Sequence, residues 1–299
     1  MQGGLSNALA RLWYELDQLL PDKPVHRAVH GVDMLLPRRH ALPYFARKGS
    51  PYGENLVELG RLLYEREGDL CLLDIGANVG DTAMLVLDRA PGRAVCVEPD
   101  PTWLRYLEFN AAPRDDIEIE PSVLVDEEAD GGATMTIVHQ AVGTSQVIVD
   151  PSGDQGLPSV TTGELLRRHP CLERVRLIKT DTDGYDVQIV PNLVRTFTAT
   201  TPVIFLEFDP RPTRIATPHL DPSSVWEALS QHGYGHAVVW DNVGRLLGAA
   251  ATADLAEKSA VLDQPEKARG YGFWDVAVAH DGDESGLGVL RRMAAGRAL

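Results

Sequence analysis

The sequence predicts an α/β fold: a doubly wound, mostly parallel sheet of seven strands, preceded by an N-terminal helical extension. Three observations carry this prediction. Segments 70–75, 93–98, 175–181 and 202–208 are apolar on both faces, as strands covered by helices on two sides must be. They alternate with stretches of helical periodicity. The first apolar run closes on a glycine turn, and the second closes on Glu98, 18 residues after Gly80.

Taken in order, residues 5–20 place Leu5, Leu9, Leu12, Trp13, Leu16, Leu19 and Leu20 at helical spacing. Residues 21–53 are rich in proline and histidine and read as irregular, with 32–37 as a short strand. Residues 54–66 form a second amphipathic helix, broken by Gly68 and Asp69. Seven strands follow at 70–75, 93–98, 117–121, 175–181, 202–208, 236–241 and 272–279. Helices are expected at 79–90, 101–111, 161–169, 184–194 and 223–232, and near 286–296. Between 121 and 150, TMTIVH and SQVIVD read as an inserted β-ribbon. The expected division is an extension over 1–53 and a ligand-binding domain over 54–299. Trp13, Tyr14, Tyr44, Phe45 and Tyr52 suit the extension to a lid or a homodimer contact.

Composition narrows the function. A net charge of −15 repels nucleic acid, and no basic run is long enough to override it. No apolar run approaches the length of a membrane span. The start lacks a basic region followed by an apolar one, so no secretory leader is expected and the cytoplasm is the expected compartment. Cys71, Cys96 and Cys171 follow no metal-binding spacing and read as core thiols.

The turn Asp74-Ile75-Gly76-Ala77-Asn78-Val79-Gly80 carries the chemistry. A dinucleotide turn needs a second glycine where Ala77 and Asn78 stand, which disfavours an NAD-dependent oxidoreductase. A phosphate loop needs Lys after its last glycine, and here Asp81 follows Gly80. Acidic residues beside the turn suit an ammonium instead, as S-adenosyl-L-methionine carries. Asp74 is placed to meet that ammonium directly or through water, and Gly76 lets the main chain come close. Glu98, followed by Pro99, stands where a carboxylate accepts both ribose hydroxyls. Asp100 instead suits the cap of the next helix. In VRLIKTDTDGYDVQIV, Asp181 ends a strand that faces the same crevice, while Asp183 is either a crevice residue or a helix cap.

LLDIGANVGDTA, VCVEPDP, LIKTDTDGYD and VIFLEFDP together resemble the FkbM-type methyltransferases, over about residues 52–280. The resemblance implies a class I, Rossmann-like fold whose seventh strand is antiparallel, S-adenosyl-L-methionine as methyl donor with S-adenosyl-L-homocysteine as product, and often O-methylation of natural products or sugars. It also implies that the segment carrying Tyr52 and Glu54 closes over the methionine end. Thr180 and Thr182 stand where the family commonly has hydrophobic residues, and Asp183 where it has glutamate. The helix that usually opens T-L-[DE] reads Thr161-Thr162-Gly163-Glu164.

Methyl transfer from a sulfonium requires alignment, and an alcohol acceptor must also lose a proton. Asp181 is the first candidate base, oriented by Lys179, and Glu207 is the second. His219, His232 and His236 are alternatives, and His26, His30 and His40 lie in the extension. No metal is expected; Asp181, Asp183 and Glu207 are the cation-binding alternative. The acceptor is expected to be a small hydroxylated molecule. Transfer to nitrogen, sulfur or a carboxylate on the same fold, or a non-catalytic adaptor, remains the alternative.

Overall fold

A computed structural model of the chain describes residues 2–47, 49–126, 135–139, 145–149 and 156–299. The central sheet is made of β3 (Leu70–Ile75), β4 (Gly92–Val97), β5 (Ile117–Glu120), β10 (Leu177–Thr180), β11 (Val203–Phe208), β12 (His236–Asp241), β13 (Leu246–Ala251) and β14 (Trp274–Ala279). Its order is β13-β12-β14-β11-β10-β3-β4-β5. The five strands from β5 to β11 are mutually parallel. β14 inserts antiparallel between β11 and β12.

All seven expected strands are present, and the antiparallel one is the last of them in sequence. The sheet has an eighth strand that the sequence reading missed. β13, at the edge, pairs antiparallel with β12, and its sequence LLGAAA lacks the β-branched residues that mark a strand. Neighbouring residues of each central strand enter different cores. Leu72, Cys96, Leu177 and Phe205 face one core, while Leu73, Val97, Ile178 and Leu206 face the other. That alternation explains why the central strands are apolar on both faces. The first core packs under α3 (Glu54–Glu67), α4 (Asp81–Arg89), α5 (Pro101–Ala111) and the C-terminal helix Glu284–Ala294. The second lies under the helices Asp186–Thr196 and Ser224–Gln231. Cys71 and Cys96 are buried.

The first segment is more ordered than its composition suggests. Helix α1 (Gln2–Leu19) is followed by a hairpin, β1 (Pro24–Val29) on β2 (Val32–Pro37), and by the short helix α2 (Leu42–Phe45). PVHRAV had read as irregular because Pro24, His26 and Arg27 break its apolar alternation. Val29, Met34, Leu36 and Leu42 enter the first core. Asn110 of α5 fastens the hairpin by accepting from Leu35 N at 2.8 Å and donating to Leu35 O at 3.2 Å. Tyr14 of α1 packs on Tyr44, their ring centroids 5.3 Å apart. Leu12, Trp13, Leu16, Leu19 and Leu20 are exposed.

Two smaller pairings complete the description. β6 (Val123–Val125) runs parallel to β9 (Ser159–Thr161). The expected ribbon is β7 (Met135–His139) antiparallel to β8 (Ser145–Val149); Thr134 and Asp150 at its ends lie outside the described residues. Among the described residues, no helix is long and apolar enough to cross a membrane.

Candidate active site

The carboxyl ends of β3, β4, β10 and β11 open into one crevice, where the strand order reverses between β3 and β10. It has two sides that meet at Gly76, Asn78 and Asp181. The β4 side is a cleft of ≈ 680 Å³, and the β11 side one of ≈ 960 Å³.

The glycine turn shapes the junction. Gly76 sits at φ +74°, and a Cβ there would lie 1.9 Å from the Asp181 carbonyl oxygen. Only glycine lets the turn after β3 pass this close to the end of β10. Gly76 N and Ala77 N both donate to Val97 O, at 3.0 and 3.1 Å, which ties the turn to the end of β4. Asn78 then takes a left-handed φ of +51°, and its N–H reaches Glu98 Oε2 at 2.7 Å. Asp100 N donates to Glu98 Oε1 at 2.8 Å. Glu98 is 5% exposed. Burial pushes its carboxyl up to about 8, against the pull of these two main-chain donors. Asp100 caps α5 through Thr102 N at 2.8 Å, as its sequence position predicts. It also accepts from Ser145 Oγ of the ribbon, which in turn accepts from Trp103 Nε1 at 2.7 Å. Ile137 and Val147 of the ribbon add apolar walls to this side.

Behind the turn lies a buried ion pair. Asp74 is 0% exposed and lines neither side. Lys179 Nζ stands 3.2 Å from Asp74 Oδ1 and 3.4 Å from Asp181 Oδ2, and donates to Gly76 O at 2.8 Å. Burial by itself lowers the Lys179 pKa, but Asp74, Asp181 and Asp81 more than reverse this and raise it. Lys179 is therefore a fixed cation that holds three parts of the junction together.

Asp183 has a left-handed φ of +52° and faces the β4 side. It does not cap the next helix, which opens after Tyr185 without a side-chain cap; Asp186 Oδ2 instead ties the preceding turn by accepting from Thr182 N at 3.2 Å and from Gly184 N at 3.3 Å. Burial, then Asp181 and Asp186, push the Asp183 carboxyl up to about 7.

The β11 side collects Asp81, Lys179, Asp181, Glu207 and Asp275, with Tyr52, Phe45, Phe205 and Phe273 as aromatic surface. Burial pushes Asp81 up to about 6. Tyr52 stacks on Phe45 at 5.5 Å, and its backbone carbonyl is bonded to His30 Nε2 at 2.8 Å. Asn55 and Asp275 escaped sequence reasoning, and His40 was placed only in the extension. His40 lies 3.2 Å from Asn78 Oδ1 through Nε2 and packs edge-on against Trp103. Asn55 Nδ2 donates to Asp275 Oδ2 at 3.0 Å. The signal for Asp275 was available, since an acid inside the apolar strand WDVAVA needs a reason.

Other expected residues stand elsewhere. Glu54 is engaged by Arg89 at 3.0 Å and His30 at 3.2 Å, and lines neither side. Ala77 and Gly80 shape the turn without surfacing in the crevice, whereas Pro99 does surface there. His219, His232 and His236 line neither side, so the structure does not bring them to the crevice. His26 faces Asp33 at the surface. Asp181, Asp183 and Glu207 do not form a cation site: among the described residues, no group of acids, histidines and cysteines is arranged to hold a metal ion.

These residues fit S-adenosylmethionine by the chemistry of their donor set. Glu98 offers carboxylate oxygens on the β4 side, and a surplus of carboxyls over the single Lys179 suits a ligand bearing ammonium and sulfonium groups.

A comparison with curated proteins finds no significant match. Among solved structures, the chain is similar to spermidine synthase from Thermotoga maritima, with 14% identity over 85% of this chain and 65% of that one, at a TM-score of 0.43. An O-methyltransferase from Bacillus cereus in complex with SAH shows 14% identity over 75% and 80%, at 0.39. A methyltransferase FkbM from Methylobacillus flagellatus KT shows 16% identity over 57% and 41%, at 0.36. These similarities are distant. The decisive match is to the methyltransferase FkbM domain, over residues 74–235, more than half of the chain and including the turn, Glu98, Lys179, Asp181 and Glu207. The chain belongs to the methyltransferase FkbM domain family.

Proposed function

We propose that this methyltransferase moves the methyl group of S-adenosyl-L-methionine to a hydroxyl oxygen of a small natural-product or sugar-type metabolite. The observation that supports this best is the crevice at the strand switch, where Gly76, Asn78, Glu98 and Asp181 meet between a β4 side and a β11 side. Bound there, the cofactor supplies an electrophilic methyl on a sulfonium.

The chain's own residues align and enclose. Glu98, fixed by Asn78 N and Asp100 N, keeps lone pairs for ribose hydroxyls on the β4 side, the nucleoside half. Asp81 and Asp181 face the cationic end. Asp74 acts from behind, through Lys179, and not as a direct ligand. The β11 side, with its aromatic walls, is the acceptor half. Tyr52 and Phe45 cover it and keep water from the reacting atoms.

Calorimetric titration of the cofactor-stripped protein with S-adenosyl-L-homocysteine tests the cofactor assignment. Micromolar binding, weakened about tenfold by Glu98→Gln on the scale of one hydrogen bond, is the expected result. Binding that ignores Glu98→Gln overturns the ribose assignment. A screen of hydroxylated acceptors for the mass gain of one methyl then tests the oxygen assignment.

A further inference from the structure

Glu207 and Asp275 are direct partners across the antiparallel strands β11 and β14. Opposed residues in such a pair project from the same face, with Cβ atoms about 4.5–5.5 Å apart. Both carboxyls line the acceptor half, beside Lys179 and Asp181. Lys179 is already committed to Asp74 and Asp181. Asn55, 6% exposed at the start of α3, donates to one oxygen of Asp275 and so fixes its orientation. Asn55 and Asp275 both lie outside the span matched by the family domain.

We propose that Asp275 and Glu207 form the proton-accepting pair of the acceptor half, with Asp275 as the catalytic base. The proposal rests on the methyl-transfer reading above. Two adjacent, poorly solvated carboxyls do not both ionise readily, so the pair retains a proton that a single exposed acid loses. Burial, followed by Asp181, Asp183 and Asp275, pushes Glu207 well above the usual carboxylate range. Burial pushes Asp275 up to about 7, with Asn55 opposing and Asp181 and Asp241 adding. Lys179 on β10 pulls Asp275 downward, and Asp186 adds to the negative field at Glu207. Tyr52 and Asp81 also line this half. Each carboxyl keeps some surface open to the cleft while lying deep in the protein. A base near 7 is matched to neutral pH. Asp181, the base the sequence suggested, is instead engaged by Lys179 at 3.4 Å.

The step balances. The acceptor oxygen gives a lone pair to the methyl carbon as the carbon–sulfur bond breaks with its electrons left on sulfur. The hydroxyl proton passes to the Asp275 carboxylate and from there to solvent.

The test needs no known acceptor. Carbon-13 NMR of protein labelled at the Asp and Glu side-chain carboxyls is followed from pH 5 to 9, with Asp275→Asn and Glu207→Gln for assignment. The pair should titrate in two coupled steps, the first near 7. Asp275→Asn should remove that step and move the Glu207 midpoint down. Asn55→Ala keeps both carboxyls and should raise the first midpoint, because a donor to the charged form is lost. Independent titration of both groups in the ordinary carboxylate range, or a Glu207 midpoint indifferent to Asp275→Asn, overturns the pair. Calorimetry with S-adenosyl-L-homocysteine on the same variants should stay within twofold of the wild type. Failure of the wild type itself to bind would sink the methyl-transfer reading and leave the titration to decide the pair. With an acceptor from the screen, Asp275→Asn should lower kcat about 10²-fold or more and abolish the acidic limb of the pH profile. Asn55→Ala should move that limb upward.

Discussion

The two halves of the crevice are built by different means. In the nucleoside half, the carboxylates are gripped by main-chain N–H groups: Asn78 N and Asp100 N on Glu98, and Thr102 N on Asp100. In the acceptor half, the carboxyls meet other side chains brought from far away: Asn55 on Asp275 across 220 residues, and Glu207 opposite Asp275 across two strands. Main-chain grips suit a cofactor whose shape never changes. Side-chain assemblies can be altered one residue at a time, as recognition of different acceptors requires.

The hardest test of this contrast is the point both halves share. Gly76→Ala adds left-handed strain and drives a Cβ into the Asp181 carbonyl, at a cost on the order of 5 kcal/mol. Urea unfolding should show the loss, and S-adenosyl-L-homocysteine binding should vanish with it. Retained binding would mean that the junction tolerates rearrangement. Next in size is Lys179→Met, which strands Asp74 without its cation. Breaking a buried pair costs about 3–5 kcal/mol, read from the denaturation midpoint. A near-neutral result would show that Asp74 protonates and that Lys179 only positions.

Glu98→Gln sharpens the contrast through pH. In the folded protein Glu98 lies at about 8, above the unfolded value of about 4.3. The fold thus favours its protonated form. That contribution is fully present below about pH 4 and is lost as pH rises through 8. Wild-type Tm should fall relative to the variant between pH 5 and 8.5, and parallel profiles would place Glu98 in a normal environment. The smallest effect is expected from His40→Ala, which loosens the link between β2 and α2 from Asn78 and Trp103. Weakening of cofactor binding by about threefold, some 0.7 kcal/mol, is the expected calorimetric result. A hundredfold loss would move His40 from support to direct contact.

Legibility followed the same division. The turn, Glu98 and Asp100 were readable because their roles depend on the spacing of one strand–turn–helix–strand unit and on steric rules that hold in any chain. The turn after β10 was half readable. Asp181 fell at the strand end as expected, but Asp183 caps nothing and Asp186 ties the turn, since three acids compete within six residues and only the backbone geometry selects one. Glu54 was expected at the cofactor from the family resemblance, yet at the start of α3 it is engaged by Arg89 and His30. The edge strand β13 was hidden because an Ala-rich segment pairs for want of another partner and not by its own propensity.

The sequence by itself determined the sheet's central strands, the switch point and the cofactor turn, because apolar periodicity and glycine conformations are local properties of the chain. Only the tertiary structure decided that Asp74 hides behind Lys179, that His40, Phe45 and Tyr52 line the acceptor half, and that Asp275 faces Glu207. Those facts depend on which distant residues share a small, poorly solvated space, and the free energy of a buried charge is set by that company rather than by its neighbours in sequence.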